Sequence, residues 1–201
     1  CPKRFEFCHV NGHPGYHDGE GSSTGGMVVG SLAHKALELG IRDVEALKPY
    51  AIALTDEQVQ DALNCAESFR QSPTFAPYRD GALHWEKPVS LEIQGITFNG
   101  YVDLVGQDFV LDFKTDRDVH PDRYQFQLWA YSRALAKPSA HIAYLRHDRP
   151  HTFSTDKLKA LESQALSLIN RLVEGDFTPA PSAAACQICP YAQVCETGWK
   201  D

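Results

Sequence analysis

The sequence predicts an α/β fold in which a central mixed β-sheet is flanked by helices. Three segments with the two-residue alternation of strands follow one another between Leu83 and Lys114, and helical patterns precede and follow them. Two further strand candidates lie among the later helices. With 201 residues, 43% of them hydrophobic, the chain is long enough to bury one core, so we expect one domain over residues 1–201.

Two helices are predicted before the strands. The glycine-rich stretch from His9 to Gly26 is typical of a loop, and the helix after it runs from Val28 to Leu39 and ends at Gly40. The second helix begins at the capping-box pattern Thr55-x-x-Gln58. The segment Pro73 to Gly81 is interpreted as a connection to the first strand.

The second and third strands carry two aspartates and a lysine. Apolar residues alternate along both strands, at Ile96, Phe98, Val102 and Leu104 and then at Phe109, Leu111 and Phe113. Because neighbouring side chains point to opposite faces, Asp103, Asp112 and Lys114 fall on the other face.

The turn between these strands decides how the aspartates meet. A two-residue turn at Gln107-Asp108 places Asp103 directly opposite Asp112, with their Cβ atoms about 4.5–5.5 Å apart. A turn at Gly106-Gln107 makes them diagonal neighbours. A three-residue loop would put them on opposite faces.

The remaining elements follow in order. Pro121 precedes a helix whose one face carries Tyr124, Gln127, Leu128, Tyr131 and Leu135. Strands are predicted over Ala140 to Arg146 and around Phe153. Thr155 or Asp156 caps a last long helix that ends at Gly175, and Pro179 begins an extended linker to the final cysteines.

Charge and hydropathy exclude several classes of protein. The formal net charge of −7 has the wrong sign for holding nucleic acid by charge alone, so DNA binding would need a local groove or neighbouring domains. The sequence shows no apolar run near the ~18 residues of a membrane span and no signal segment at its start. We therefore expect no membrane partner and a cytoplasmic, nucleoid-associated protein.

Two aspartates and a lysine on one sheet face are suited to Mg²⁺ or Mn²⁺ and to phosphodiester hydrolysis. The alternative is a hairpin with ordinary surface charges. His34, within the first helix, is either a half-buried hydrogen-bonded residue or a metal ligand beside the carboxylates. Glu86, on the first strand, is either a further acidic site residue or a solvated glutamate.

The ordered motifs resemble the PD-(D/E)XK nuclease superfamily, in particular its RecB-like branch. That branch carries a helix histidine, Gly-x-(Val/Ile)-Asp, Asp-x-Lys-Thr and Tyr-x-x-Gln-x-x-x-Tyr in this order. In this chain they are His34, Gly100 to Asp103, Asp112 to Thr115 and Tyr124 to Tyr131.

The resemblance implies a restriction-endonuclease-like fold and a role for each matching residue. A divalent ion would be held by His34, Asp103, Asp112 and the carbonyl group of Phe113. Lys114 would act on the attacking water, while Gln127 and Tyr131 would orient the site or the DNA backbone.

The cysteines extend the resemblance to the iron–sulfur version of that branch. The chain has six cysteines, three of them in a C-x2-C-x5-C pattern near its end. By the resemblance, Cys1, Cys186, Cys189 and Cys195 bind a [4Fe–4S] cluster, and four thiolates suit such a cluster. Zinc is the alternative, and Cys8 leaves the choice of the first ligand open. By joining distant chain segments, the cluster would contribute about 5 kcal/mol to stability, and we expect it to be structural rather than a redox catalyst.

We therefore expect a metal-dependent deoxyribonuclease, with exonuclease action more expected than endonuclease action, that cleaves single-stranded DNA or unwound duplex ends. Residues 1–27 would form the N-terminal segment, 28–178 the nuclease core and 179–201 the cysteine segment. The chain opens on Cys1 rather than methionine, which fits the nuclease module of a helicase–nuclease. The alternatives are a stand-alone nuclease similar to that of CRISPR adaptation and a non-catalytic iron–sulfur module that binds DNA ends.

Overall fold

Five strands form one sheet in the order β1-β2-β3-β4-β5. The computed structural model describes residues 1–15, 24–52, 54–187 and 189–197, without the side chains of 24–27 and 183–184. The strands are β1 Ala82–Ile93, β2 Ile96–Gly106, β3 Phe109–Lys114, β4 Ser139–Tyr144 and β5 Arg149–Phe153.

The sheet is mixed, as the sequence predicts. Strand β3 pairs antiparallel with β2 and parallel with β4, and β4 pairs antiparallel with β5. Parallel neighbours need a long crossover connection. Here the connection from β3 to β4 contains the helix Gln125–Ala134.

The described helices are numbered α1 to α8 in chain order. They are α1 Pro2–Phe5, α2 Thr24–Leu39, α3 Val44–Leu47, α4 Asp56–Gln71, α5 Ala76–Asp80, α6 Gln125–Ala134, α7 Thr155–Val173 and α8 Ala183–Gln187. Helix α2 is followed by Gly40, whose φ of 67° suits a residue without a side chain. Helix α4 begins at the predicted capping box of Thr55 and Gln58.

The two faces of the sheet are covered by different helices. Leu104, Leu111 and Phe113 share one apolar cluster with α2 and α4, which contribute residues such as Ala33 and Phe69. Helix α6 contacts β3 and β4 on the opposite, even-numbered face of β3. Residues 102–105 and 110–113 are therefore buried on both faces, which separates the aspartates from bulk water.

The chain divides into two compact units. One comprises Cys1–Glu20, Ile93–Ile96 and Ser163–Asp201, and the other comprises Gly21–Glu92 and Thr97–Glu162. The second unit holds the helices and strands that carry the predicted catalytic residues. The first holds five of the six cysteines. No described helix is long and apolar enough to cross a membrane.

Several predicted boundaries are wrong. His9 and Val10 continue a helical turn over Glu6–Val10, so the first loop starts later than predicted, and residues 16–23 of that loop lie outside the described residues. The predicted connection before β1 contains a 3-10 turn, Pro73–Phe75, and helix α5, because proline fits the first turn of a helix.

The predicted boundaries near the C-terminus differ in the same way. Arg146 belongs to a 3-10 turn rather than to β4, because the chain reverses at Asp148, whose φ is 47°. Ser154 caps α7 by accepting a hydrogen bond from the Lys157 amide, whereas the Thr155 hydroxyl donates to the Pro138 carbonyl. The predicted linker also contains α8.

Candidate active site

The two aspartates face each other across β2 and β3. The register pairs Leu104 with Leu111 and Val105 with Val110, which continues to Asp103 opposite Asp112. The strands are joined at residues 107 and 108, which is, of the two turns left open by the sequence, the one that pairs the aspartates directly. Asp103 is 5% exposed and Asp112 is 3% exposed, so both carboxylates are held away from solvent.

His34, on helix α2, contacts one residue of β2 and one residue of β3. Its Nδ1 atom is 3.2 Å from Asp103 Oδ1, and its Nε2 atom is 3.0 Å from the Phe113 carbonyl oxygen. Both partners are acceptors, so this arrangement suits a ring protonated on both nitrogens. Burial lowers the pKa of His34, but the hydrogen bond and charge of Asp103 outweigh it and raise the pKa above its usual value.

Asp103 is held by the backbone of the neighbouring strand. Its Oδ2 atom accepts a hydrogen bond of 2.6 Å from the Phe113 amide. Phe113 therefore fixes both partners of this pair, through its amide to Asp103 and its carbonyl to His34. The Phe113 ring meets the His34 ring edge-on at 5.7 Å, which limits how far the imidazole can turn.

Asp112 is the most strongly perturbed carboxylate of the site. Burial, together with the charge of Asp103, raises the pKa of Asp112 to about 6, and Lys114 and His34 act in the opposite direction. Lys114 Nζ lies 2.5 Å from Asp112 Oδ2. Two apposed buried carboxylates thus face one lysine and one histidine, a combination that favours binding of a further cation.

Lys114 is positioned by three different groups. Besides Asp112, its ammonium group lies 3.5 Å from Gln127 Oε1 and 4.3 Å from the centre of the Tyr124 ring. The Tyr124 hydroxyl in turn donates to Asp116. An ammonium fixed in this way keeps one orientation beside the carboxylates.

Helix α6 brings its predicted face to this site. Gln127 Nε2 donates to the Tyr131 hydroxyl at 3.0 Å, so the glutamine amide is used on both sides. A Cβ at Gly100 would lie 3.0 Å from the Tyr131 ring, which explains why a glycine occupies that strand position. Tyr131 is half-buried, and burial raises its pKa to about 12, so it stays a neutral hydroxyl.

The structure also brings Glu86 into the site, a residue for which the sequence left two interpretations. One ligand atom from each of His34, Glu86 and Asp103 lies within 4.8 Å of the other two. Burial and the charge of Asp103 raise the pKa of Glu86. Its φ is +46°, so the chain departs from regular strand geometry where it reaches the site.

The sequence was compared with models of known protein families, and one family model matches it. The family model for the PD-(D/E)XK nuclease superfamily matches residues 1–196. The chain belongs to the PD-(D/E)XK nuclease superfamily. No curated protein matches its sequence.

One solved structure shows the same fold, and a second similar structure was found. A candidate exonuclease from Eubacterium rectale superposes with a TM-score of 0.62 at 15% identity, covering 99% of this chain and 83% of that one. The protein SSO0001 has a TM-score of 0.47 at 16% identity, covering 98% of this chain and 94% of its own. The restriction-endonuclease-like fold predicted for this PD-(D/E)XK nuclease is confirmed.

The donor set of this PD-(D/E)XK nuclease fits a hard divalent cation. Neighbouring ligands of an octahedral ion with bonds of about 2.1 Å are about 3.0 Å apart. The His34 Nε2 to Phe113 O and His34 Nδ1 to Asp103 Oδ1 distances are 3.0 and 3.2 Å. These two contacts use different nitrogens of His34, so a single ion would bind only one of them, and Asp103, Asp112 and the Phe113 carbonyl would add oxygen donors of the type that Mg²⁺ and Mn²⁺ prefer.

The other unit gathers cysteines from both ends of the sequence. Cys1 Sγ accepts a hydrogen bond of 3.5 Å from the Ala180 amide. Burial lowers the pKa of the Cys1 amino group, while the nearby Cys186 and Cys189 thiols act in the opposite direction. All six cysteines are free thiols. Cys65 is buried and lies in the unit that comprises Gly21–Glu92 and Thr97–Glu162.

Cys8 lies close to the same group. The Tyr191 hydroxyl donates to the His13 carbonyl at 3.0 Å, and its ring stacks on Phe7 at 5.3 Å. A hydrogen bond with Cys8 raises the pKa of Tyr191. Cys8 is thus near enough to remain an alternative to Cys1 as the first ligand.

Proposed function

We propose that this nuclease is a divalent-metal-dependent deoxyribonuclease that acts as an exonuclease on single-stranded DNA or unwound duplex ends. The observation that carries the proposal is the pairing of Asp103 with Asp112 on one buried sheet face, beside His34 and Lys114. A bound Mg²⁺ or Mn²⁺ ion supplies a Lewis acid and an activated water.

The residues of the site divide these tasks among them. Asp103, Asp112, His34 and the Phe113 carbonyl hold the ion, and Lys114 stabilises the negative charge that develops on the attacked phosphate. Gln127 and Tyr131 keep the Lys114 ammonium in place through their hydrogen-bond chain. The lysine is thereby set before the substrate arrives, which lowers the cost of reorganisation.

An exposed aromatic residue supports a single-stranded substrate. Tyr101 is 63% exposed and lies on β2 two residues before Asp103. Unpaired bases stack on such rings without sequence preference. In a duplex the bases are paired and stacked inside the helix, so Tyr101 favours unwound DNA.

The charge of the chain supports a partner that holds the DNA. With a formal net charge of −7, the nuclease has little electrostatic grip on a polyanion. We propose that a helicase domain or subunit delivers the strand to the site at the nucleoid. This arrangement predicts that the isolated nuclease cuts single strands and forked ends but leaves blunt duplexes intact.

Cleavage of end-labelled single-stranded DNA with Mn²⁺ tests the proposal. We expect wild type to cut and Asp112→Ala to lose activity by at least about a hundredfold, because a buried ligand is removed. Asp108→Ala is the matched control, since this aspartate lies exposed in the turn of the same hairpin and should leave cleavage unchanged. If wild type cuts no DNA at any Mn²⁺ or Mg²⁺ concentration, the proposal is wrong.

We also propose that Cys1, Cys186, Cys189 and Cys195 bind a [4Fe–4S] cluster. The gathering of cysteines from both chain ends in one compact unit supports it. Anaerobically purified protein should be brown and contain about four irons and four sulfides per chain. Colourless protein with one zinc per chain would instead identify a zinc site.

A further inference from the structure

We infer that Glu86 is a further ligand of the divalent cation, together with His34 and Asp103. The inference rests on the proposed metal-dependent function. The ligand set implied by the family resemblance contains His34, Asp103, Asp112 and the Phe113 carbonyl, so a carboxylate from β1 adds to it.

The arrangement of donor atoms supports this ligand. The carboxylate of Glu86, the imidazole of His34 and the carboxylate of Asp103 each place one donor atom within 4.8 Å of the other two. The three residues come from β1, α2 and β2. Donors from three separate elements thus lie close together, and two of the three are carboxylate oxygens, the donors that suit Mn²⁺ and Mg²⁺.

The Glu86 carboxylate is attracted by His34 and Lys35 and repelled by Asp103 and Glu38. Among the residues that the structure describes, no hydrogen bond or ion pair is made by its side chain, although it is half-buried. Lys35 is the nearby cation, but its ammonium group is paired with Glu38. Glu86 and Asp103 therefore repel one another, and a cation between them relieves the repulsion.

The backbone at Glu86 agrees with this role. Its φ of +46° lies in the left-handed region, which a residue with a side chain adopts only when the surroundings enforce it. The preceding residue, Trp85, packs against Phe69 and Phe113 of the core. The chain at this position brings the Glu86 carboxylate near His34 and Asp103, while the Trp85 ring, 40% exposed, lies against Phe69 and Phe113.

The test is calorimetric titration of Mn²⁺ into metal-free protein without DNA. We expect Glu86→Gln to weaken Mn²⁺ binding by about tenfold or more, since the amide keeps the shape but loses the charge. Glu38→Gln is the matched control. It removes a carboxylate of the same surface that is already paired with Lys35, so Mn²⁺ affinity should stay within about twofold.

Thermal unfolding separates a lost ligand from a damaged fold. Metal-free Glu86→Gln should be at least as stable as metal-free wild type, because the variant removes the repulsion with Asp103, and it should gain less stability on adding Mn²⁺. Glu86→Asp should recover part of the affinity.

Each outcome decides the inference separately from the nuclease proposal. Unchanged Mn²⁺ affinity in Glu86→Gln, or no Mn²⁺ binding by wild type, overturns the inference. If wild type binds Mn²⁺ through Glu86 but cuts no DNA, the proposed function fails and the ligand assignment stands.

Discussion

At the scale of single residues, the carboxylates described at the site outnumber the cationic side chains beside them. Asp103, Asp112 and Glu86 contribute three carboxylates, and Lys114 with His34 contributes the positive charge within reach. Burial raises the free-energy cost of each unpaired charge above its cost in water. The folded protein therefore favours protonation of these groups or binding of a cation.

The first prediction concerns pH. Burial and the charge of Asp103 raise the pKa of Asp112 from its ordinary value of 3.8 to about 6, so the folded state binds a proton more tightly than the unfolded state does. The resulting stabilisation is present below pH 3.8 and is lost as pH rises through 6. Without metal, the unfolding free energy should fall across this range, by an amount on the order of 3 kcal/mol from Asp112.

Urea unfolding in EDTA at several pH values measures this effect. The difference between wild type and Asp112→Asn isolates the contribution of Asp112, because His34 is present in both proteins. A difference that does not change with pH would contradict the raised pKa.

The second prediction concerns Lys114. Lys114→Met removes the cation beside Asp112 and should lower kcat by roughly a hundredfold or more, as loss of a charge-stabilising donor does. Lys114→Arg should recover little activity, because a planar guanidinium cannot satisfy Asp112, Gln127 and the Tyr124 ring in the same geometry. Lys159→Met, at an exposed lysine of α7, is the control, and equal loss in both proteins would contradict the role of Lys114.

At the scale of elements, the site depends on how closely β2 and α6 approach. Gly100 allows the Tyr131 ring to lie against the strand, and Tyr131 holds Gln127, which faces Lys114. This chain of contacts links a backbone position on β2 to the orientation of the lysine. The structure thus makes the Gly100 position part of the site without any side chain of its own.

Gly100→Ala tests that link. The added methyl group would meet the Tyr131 ring at 3.0 Å and displace it, so kcat should fall by roughly tenfold while the fold is kept. The double variant Gly100→Ala with Tyr131→Ala relieves the clash. Its activity should equal that of Tyr131→Ala alone, and independent, multiplying losses would show that the two residues do not act through each other.

The sequence predicts the hairpin well because its information is local. Alternation of side chains places Asp103 and Asp112 on one face, and a two-residue turn then settles their pairing. Glu86 is different, since its place at the site depends on a backbone conformation that alternation does not indicate. The predicted end of β4 is wrong for a similar reason. Leu145 continues the apolar pattern of the strand, but the left-handed backbone of Asp148, which alternation does not indicate, ends the strand earlier.

At the scale of the whole molecule, residues from opposite ends of the sequence meet in one compact unit. Cys1 and Cys186 are far apart along the chain, and the unit that contains them also includes the end of α7. A cluster that joins them would restrict the unfolded chain and contribute about 5 kcal/mol to stability. With the proposed cluster bound, the C-terminal segment would act as a structural closure of this unit.

Replacing single cysteines tests that closure. Cys189→Ser should lose the iron and lower the unfolding free energy by several kcal/mol, measured by urea denaturation under anaerobic conditions. Cys8→Ser should keep both if Cys1 is the first ligand, and Cys1→Ser should lose both. The opposite result for these two variants would assign Cys8 as the ligand.

The short turn between β2 and β3 also bears on the order in which the site is assembled during folding. Strands joined by two residues form contacts of low sequence separation, and isolated hairpins form in about 1–10 μs. The parallel pairing of β3 with β4 has to wait for the crossover through α6. We therefore expect Asp103 and Asp112 to meet early in the folding transition state, before Gln127 and Tyr131 reach them.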